Sequence, residues 1–234
     1  MTTPEKNAGP NAGLRPAIEH GLAALKLPSA PAVALETYLL ELEKWNAAYN
    51  LTAVRAPTDM VTRHLLDSLA VLAPVEALTA SGAIGSPVRL LDVGAGAGLP
   101  GIPLAVLRPD WRVTLLDSNG KKARFLRHVQ RRLALGNVDV AEARVEAWHP
   151  ATADFPLVIS RAFASLADFV SLTMPLLAAN GRWLAMKGKV SPDELSALPD
   201  GACVEAVNAL QVPGLDEARS LVVVRRARDN SDLK

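Results

Sequence analysis

From Ala32 to about Tyr49, apolar residues recur every three or four positions: Leu35, Tyr38, Leu39, Leu42, Trp45 and Tyr49. Glu36, Glu41, Glu43 and Lys44 fall between them. That period predicts an amphipathic helix, with Trp45 and Tyr49 on its core side. "NLT" at Asn50–Thr52 interrupts it, and Asn46 and Asn50 read as local capping residues. A second helical pattern starts after Pro57, with Thr58 or Asp59 as its cap. It carries Met60, Val61, His64, Leu65, Ser68, Leu69 and Leu72. His64 and Asp67 lie three apart there and are expected to share a structural hydrogen bond.

The period changes at Val88. "VRLLDVG" is a short apolar run closed by glycine, the pattern of a strand buried on both faces. "GIPLAVLRP" predicts a helix, with Pro100 near its first turn, where a missing N–H costs nothing. "WRVTLLD", "VDVAEAR", "PLVISRA" and "GRWLAMKG" predict further strands. Between them, "GKKARFLRHVQRRLAL" and "LADFVSLTMPLLAA" predict helices, the first with Phe125, Leu126, Val129 and Leu133 on one face. "CVEAVNALQV" and "RSLVVVRRA" are strand-like runs joined by "PGLDEA", with no helix between them.

Alternating strands and helices imply right-handed crossovers and an α/β fold with a mainly parallel sheet. The last two runs should pair antiparallel at one edge. The expected organisation is a mobile tail at 1–13, a helical extension at 14–80 packed on the core, an α/β domain at 81–228, and a mobile tail at 229–234. In such open sheets, ligands bind at the carboxyl ends of the strands, where the strand order reverses.

Composition narrows the classes. The chain has 234 residues, half of them apolar, which allows one ordinary core and excludes global disorder. Aromatic residues are only 4%, so Leu, Val and Ala must build that core. The net charge of +1 points to no partner, so a nucleic-acid binder would need its basic residues clustered. Cys203 is the single cysteine and can form no internal disulfide, which fits a reducing compartment. No motif surrounds it, so it reads as a core residue and not a nucleophile. No apolar run approaches the length of a membrane span, and the N-terminus lacks a signal pattern. A soluble, cytoplasmic, monomeric protein is expected. No His/Cys/Asp cluster has metal-ligand spacing.

The chemistry concentrates in "LLDVGAGAGLPG", Leu90–Gly101, where Gly96-x-Gly98-x-x-Gly101 matches a nucleotide-loop spacing. The spacing alone is weak evidence. Its context is stronger: the loop follows a strand, opens a helix, and the next strand ends in Asp117. Two ligands compete. A nicotinamide dinucleotide would set its pyrophosphate on the helix N-terminus, and Asp117 would take ribose hydroxyls. S-adenosylmethionine would pack its methionine part against Gly94 and Gly96, with Asp117 again on the ribose. Asp92 discriminates. A carboxylate beside a pyrophosphate is unfavourable in a low-dielectric pocket, whereas beside an ammonium it is favourable. The residues favour S-adenosylmethionine.

The run "LLDVGAGAGLPGIPLAVLRPDWRVTLLDSNGKKARFLRHV" resembles the ribosomal RNA small subunit methyltransferase G family, also called the glucose-inhibited division protein B family. "KWNAAYNLTAVR" (Lys44–Arg55), "RHLLDSL" (Arg63–Leu69), "ISRAFASL" (Ile159–Leu166), "GRWLAMKGK" (Gly181–Lys189) and "LQVPGLDEARSLVVV" extend the likeness over roughly residues 35 to 225. The resemblance implies a class I methyltransferase fold, a mostly parallel seven-stranded sheet with its last strand antiparallel, and a helical N-terminal extension. It implies methyl transfer from S-adenosylmethionine to N7 of one guanine in 16S ribosomal RNA, free or in the small ribosomal subunit. By motif, Gly94, Leu99, Val145, Glu146 and Arg161 should contact the cofactor. The chain departs from the pattern at "DFPLVIS", where Pro156 replaces an expected acid, and in its loop, which has Ala95 and Ala97.

Guanine N7 carries an in-plane lone pair and no proton, so its methylation needs alignment and no general base. The absence of a His/Asp or Cys/His pairing agrees with that substrate, and no catalytic residue is assigned. Candidate phosphate contacts are Lys121, Lys122, Arg124, Arg127 and Arg131 on the helix after Gly120, where Arg124, Arg127/His128 and Arg131 share a face, together with Lys187 and Lys189. Arg225, Arg226 and Arg228 form a further cluster. Each is equally readable as part of a solvated surface. Alternatives that remain open are a methyltransferase for another RNA or a small molecule, a non-catalytic RNA-binding protein of this fold, and an NAD-dependent oxidoreductase.

Overall fold

All seven apolar runs become strands of one sheet: β1 (Arg89–Val93), β2 (Arg112–Asp117), β3 (Val138–Glu142), β4 (Phe155–Arg161), β5 (Leu177–Lys187), β6 (Ala202–Leu210) and β7 (Arg219–Arg226). The structure, a computed structural model, describes residues 13–80, 82, 84, 87–161, 163 and 165–227. The expected tails at 1–13 and 229–234 lie outside these residues except for Gly13, and so does Arg228. The strand order is β3-β2-β1-β4-β5-β7-β6. β1 to β5 pair in parallel, and β7 runs antiparallel to both neighbours, β5 and β6. The order reverses between β1 and β4, which makes their carboxyl ends the expected ligand site.

Strand alternation explains how the site is built. Leu90 joins a hydrophobic cluster on one face of the sheet, and Leu91 and Val93 join the cluster on the other. Asp92 shares the face of Leu90, toward α6 (Gly101–Leu107). That face also holds α7 (Gly120–Arg132) and the N-terminal helices α1 (Leu14–Ala24) and α2 (Ala32–Tyr49). Ile18, Leu22, Leu35, Leu39 and Leu42 bury fully in the same cluster as Ile102, Leu104, Phe125 and Leu126. Each such side chain contributes roughly 1.5–3 kcal/mol of burial energy. Polar contacts add direction. The Tyr38 hydroxyl donates to the carbonyl of Ala97 in the glycine loop at 2.8 Å. Glu41 bonds His128 of α7 at 2.7 Å, and Trp45 packs on Tyr49, Phe125 and His128.

The second helical pattern is not one regular helix. It runs as α3 (Pro57–Met60), a π-helical stretch (Val61–Leu66), α4 (Asp67–Leu69) and α5 (Leu72–Ala80). Ala56 is the N-cap and Pro57 the first helical residue, so neither Thr58 nor Asp59 caps it. The carbonyl of Arg63 accepts from His64 Nδ1 at 2.9 Å and from Arg161 Nη1 at 3.1 Å. The amide of Asp67, which would bond Arg63 in an α-helix, is shared between the carbonyls of His64 and Thr62 instead.

Four smaller expectations also shift. The helix α8 (Leu166–Thr173) gives way to a 3-10 turn at Met174–Leu176, and β5 starts at Leu177 instead of Gly181. Pro175 has no N–H to donate to a continuing α-helix, and the chain tightens into the 3-10 turn with Met174 still in the helical region. Pro100 does stand beside the first turn of α6, as its N-cap, and the Leu99–Pro100 peptide is cis. Cys203 is half-buried on the edge strand β6, outside both core clusters, because alternate residues of that strand face outward. A short helix, α9 (Pro192–Ser196), capped by Ser191, separates β5 from β6. Pro156 leaves β4 intact, and the irregularity in pairing with β5 falls between Phe155 and Leu157, where a missing amide is tolerated.

Candidate active site

Two cavities open at the carboxyl edge of the sheet. The first, about 320 Å³, is bordered by Gly94 after β1, Asp117 and Ser118 after β2, Arg144 to Glu146 after β3, and Phe163 after β4. It therefore sits at the strand-order reversal. Of the expected cofactor residues, Gly94, Asp117, Val145 and Glu146 line it. Val145 and Glu146 belong to a 3-10 turn, Val145–Ala147, that presents them there. Gly94 has φ +70°, a conformation that side chains disfavour, and it contributes backbone alone to the wall.

Asp117 fastens the site together. Its Oδ2 accepts from the amide of Gly96 and its Oδ1 from the amide of Asn119, both at 2.8 Å. Each oxygen keeps a lone pair for a further donor such as a ribose hydroxyl. Lys122 stands 4.0 Å from Asp117 and lines the same cavity.

Asp92 occupies a deeper layer than the ligand-facing wall. It is fully buried, and its Oδ2 accepts from the amide of Gly101 at 2.8 Å. A Cβ on residue 101 would stand 2.2 Å from Leu115 and 2.8 Å from that same oxygen, so only glycine allows the contact. Asp92 Oδ1 has no hydrogen-bond partner among the described residues. Burial pushes its pKa up to about 7, against the Gly101 amide and the Arg161 charge, which pull it down. An orphaned, buried carboxylate oxygen suits a cationic ligand group. The first amide of α6, which a pyrophosphate would seek, is already taken. The donor set therefore fits S-adenosylmethionine better than a dinucleotide. Gly96 and Leu99, also expected at the cofactor, do not line this cavity: Gly96 meets it only through its amide bond to Asp117, and Leu99 is buried in the core.

The second cavity, about 370 Å³, lies at the same edge, and Lys187 on its wall donates to the carbonyl of Phe163 on the wall of the first at 3.3 Å. Arg161 lines it, not the first cavity. Its other walls are Arg63, His64 and Asp67 from the π-helical region, Met186 to Gly188 at the end of β5, and Arg219 at the start of β7. Asp67 accepts from Arg161 Nη1 at 3.2 Å and from Arg219 Nε at 3.0 Å. No side-chain bond joins His64 to Asp67, contrary to expectation, because both side chains are engaged elsewhere; the Asp67 amide alone donates to the His64 carbonyl. His64 Nδ1 bonds the Arg63 carbonyl, which can only accept, so Nε2 accepts from the Thr52 hydroxyl at 2.8 Å. Burial, then the nearby Arg161 charge, lowers the His64 pKa to about 4. Asn46 is structural as expected. It bonds the amide of Thr52 and the carbonyl of Val54, and so shapes the loop that carries Thr52. Asn50 ends α2 at φ +50° and accepts from Arg55.

The candidate phosphate contacts do not form one group. Lys121, Arg124, Arg131 and Lys189 are exposed and have no ion-pair partner among the described residues. Arg127 pairs with Glu142 at 2.9 Å, and His128, expected on the same face, is held by Glu41 of α2. Lys187 is largely buried, bonded to Glu194 at 2.8 Å and to the Phe163 carbonyl at 3.3 Å. Sequence reasoning missed Asp67 as an arginine anchor, Arg219, and Ser118 and Arg144 on the cofactor side. Arg144 stands beside the motif residue Val145, a signal that was available. Arg219 had none, because only the antiparallel direction of β7 brings its first residue to the carboxyl edge. Among the described residues, no group of His, Cys, Asp or Glu is placed to hold a metal, and no helix is long and apolar enough to cross a membrane.

Comparison with known proteins agrees with this architecture. A structure titled as a SAM dependent methyltransferase from Aquifex aeolicus superposes with a TM-score of 0.50 at 15% identity, covering 68% of this chain and 92% of its own. The relative from Pseudomonas paraeruginosa (strain DSM 24068 / PA7), named Ribosomal RNA small subunit methyltransferase G, is 52% identical over 192 residues, 82% of this chain and 85% of its own. The protein of the same name from Xanthomonas axonopodis pv. citri (strain 306) is 51% identical over 211 residues, 90% and 94% of the two chains. The family model described as GidB, rRNA small subunit methyltransferase G, matches residues 32–222. The chain thus belongs to the rRNA small subunit methyltransferase G family.

Proposed function

We propose that this chain transfers a methyl group from S-adenosylmethionine to N7 of a guanine in the 16S ribosomal RNA of the small subunit. The observation that carries this reading is the buried Asp92 oxygen without a partner, beneath a cavity at the strand-order reversal, in a chain of this family. When bound, S-adenosylmethionine supplies a methyl carbon on a sulfonium sulfur, open to displacement by a nitrogen lone pair. Asp92, in the layer beneath the wall, favours the ligand's ammonium by its charge, Asp117 takes its ribose hydroxyls, and Val145 and Glu146 flank its adenine. Gly94, Gly96 and Leu99 shape the loop against its methionine part.

No residue need accept a proton, because guanine N7 carries none. The histidine on the second cavity wall fits that absence of a base, since both its ring nitrogens are engaged. Lys121, Arg124, Arg131 and Lys189 meet RNA phosphates. We read the enzyme as a cytoplasmic monomer, in keeping with its single cysteine. The reading is tested by incubating the protein with methyl-labelled S-adenosylmethionine and small subunits from a strain lacking the modification. Label is expected in 16S ribosomal RNA. Label that never enters RNA would overturn the assignment.

A further inference from the structure

We propose that the second cavity is the pocket for the target guanosine, with Arg161 and Arg219 as its hydrogen-bond donors and Asp67 as the positioning residue that fixes both. The inference rests on the functional reading above. Asp67 is 4% exposed and gives one oxygen to each arginine. A buried carboxylate holding two cations is a costly way to stabilise a fold, because desolvation offsets most of the attraction. It does immobilise two forked donors on a cavity wall. Arg161 Nε and Nη2 have no partner among the described residues, and its side chain is 24% exposed. Arg219 sends Nη1 to the Ala218 carbonyl, and Glu217 stands 3.9 Å from its Nη2. Arg63 and Lys187 share the same walls but are each paired with a carboxylate, Glu217 at 2.9 Å and Glu194 at 2.8 Å, which leaves Arg161 and Arg219 as the donors of the site.

The position is as telling as the charge. Arg161 and Phe163 lie two residues apart and line different cavities. Lys187 braces that segment by donating to the Phe163 carbonyl. A base in the second cavity therefore lies beside the methyl-donor cavity, at the same edge of the sheet.

Guanine's accessible edge offers O6 and N7 as acceptors. Methylation consumes the N7 lone pair: the N7–methyl bond forms as the sulfur–methyl bond breaks, the sulfur keeps the bonding pair, and no proton moves. A donor on N7 would block the reaction, so the guanidinium groups are confined to O6 and phosphate. The product ring gains a positive charge. Asp67, between the two arginines, offsets the repulsion that bare cations would impose.

The test compares Arg219→Gln, Arg219→Lys and Asp67→Asn with the wild type. Single-turnover methylation of unmodified small subunits at saturating S-adenosylmethionine should fall on the order of tenfold in Arg219→Gln and Asp67→Asn. Affinity for S-adenosylhomocysteine should be unchanged, and Arg219→Lys should recover part of the rate. A wild-type rate in Arg219→Gln, or a loss of S-adenosylhomocysteine binding that parallels the rate, overturns the proposal. A second arm needs no turnover. Saturation-transfer NMR of GMP on the S-adenosylhomocysteine complex should give a signal that Arg219→Gln removes, while AMP, which shares the phosphate but lacks O6, should give a weaker signal that the substitution reduces less. A GMP signal absent from the wild type, or equal in both proteins, overturns it. If wild-type protein never labels ribosomal RNA, the functional reading falls, and the GMP arm still decides the pocket.

Discussion

The carboxylate of Asp92 accepts the amide proton of Gly101 with one oxygen and leaves the other without a partner, fully buried between β1 and α6. Its pKa, pushed up to about 7 by burial, means that the ligand-free protein holds a proton there below neutral pH. An incoming ammonium favours the ionised form. Binding of S-adenosylhomocysteine near pH 6 should therefore release a proton from Asp92. Calorimetry in buffers of different ionisation enthalpy will show this as a buffer-dependent heat. Asp92→Asn should abolish the dependence, and a buffer-independent heat in the wild type would refute the role.

The same two shifts set opposing stability slopes. Asp92 has a folded pKa raised from 3.8, so its contribution is fully present below pH 4 and is lost as pH rises toward 7. His64 has a folded pKa lowered from 6.5 to about 4, so its contribution is present above 6.5 and is lost as pH falls toward 4. Between pH 4 and 6.5 they offset one another. Urea unfolding should show stability rising more steeply with pH in Asp92→Asn than in wild type, and falling with pH in His64→Gln. Parallel slopes in all three proteins would rule this out.

Tyr38 ties the N-terminal helices to the cofactor loop through the Ala97 carbonyl. Tyr38→Phe keeps the packing and removes the donor, leaving a buried carbonyl unsatisfied. A loss of about 1–3 kcal/mol in stability is expected. S-adenosylhomocysteine affinity should weaken as well, since the loop loses a restraint. Unchanged affinity by calorimetry would separate α2 from the site.

The exposed cations should act additively on RNA. Neutralising Lys121, Arg124 and Arg131 together should weaken small-subunit binding and lower the slope of log affinity against log salt by roughly 2–3. Neutralising Arg127, which is paired with Glu142, should do less. Equal salt slopes for the triple variant and the wild type would remove α7 from the interface.

Strand positions and the glycine loop were legible because they depend on local period and on glycine. β1 to β7 follow the apolar runs, and Gly94, Asp117, Val145 and Glu146 converge where an open sheet should bind its ligand. What the sequence hid is long-range. The Arg63 carbonyl in the π turn is met by Arg161, 98 positions away. Asp67 meets Arg219 across 152 positions, a contact that only the antiparallel β7 makes available. Asp92 shows the intermediate case. Its charge was readable, but its depth beneath the loop followed from the face of β1 it shares with Leu90.

The most direct test of the account is the position of the methyl group. Ribosomal RNA methylated by the purified protein should be reduced and cleaved with aniline, which breaks the chain at N7-methylguanosine. A single new cleavage in 16S ribosomal RNA, requiring both the protein and S-adenosylmethionine, is the predicted result. Labelled RNA that resists cleavage, with the methyl group on another atom, would contradict it.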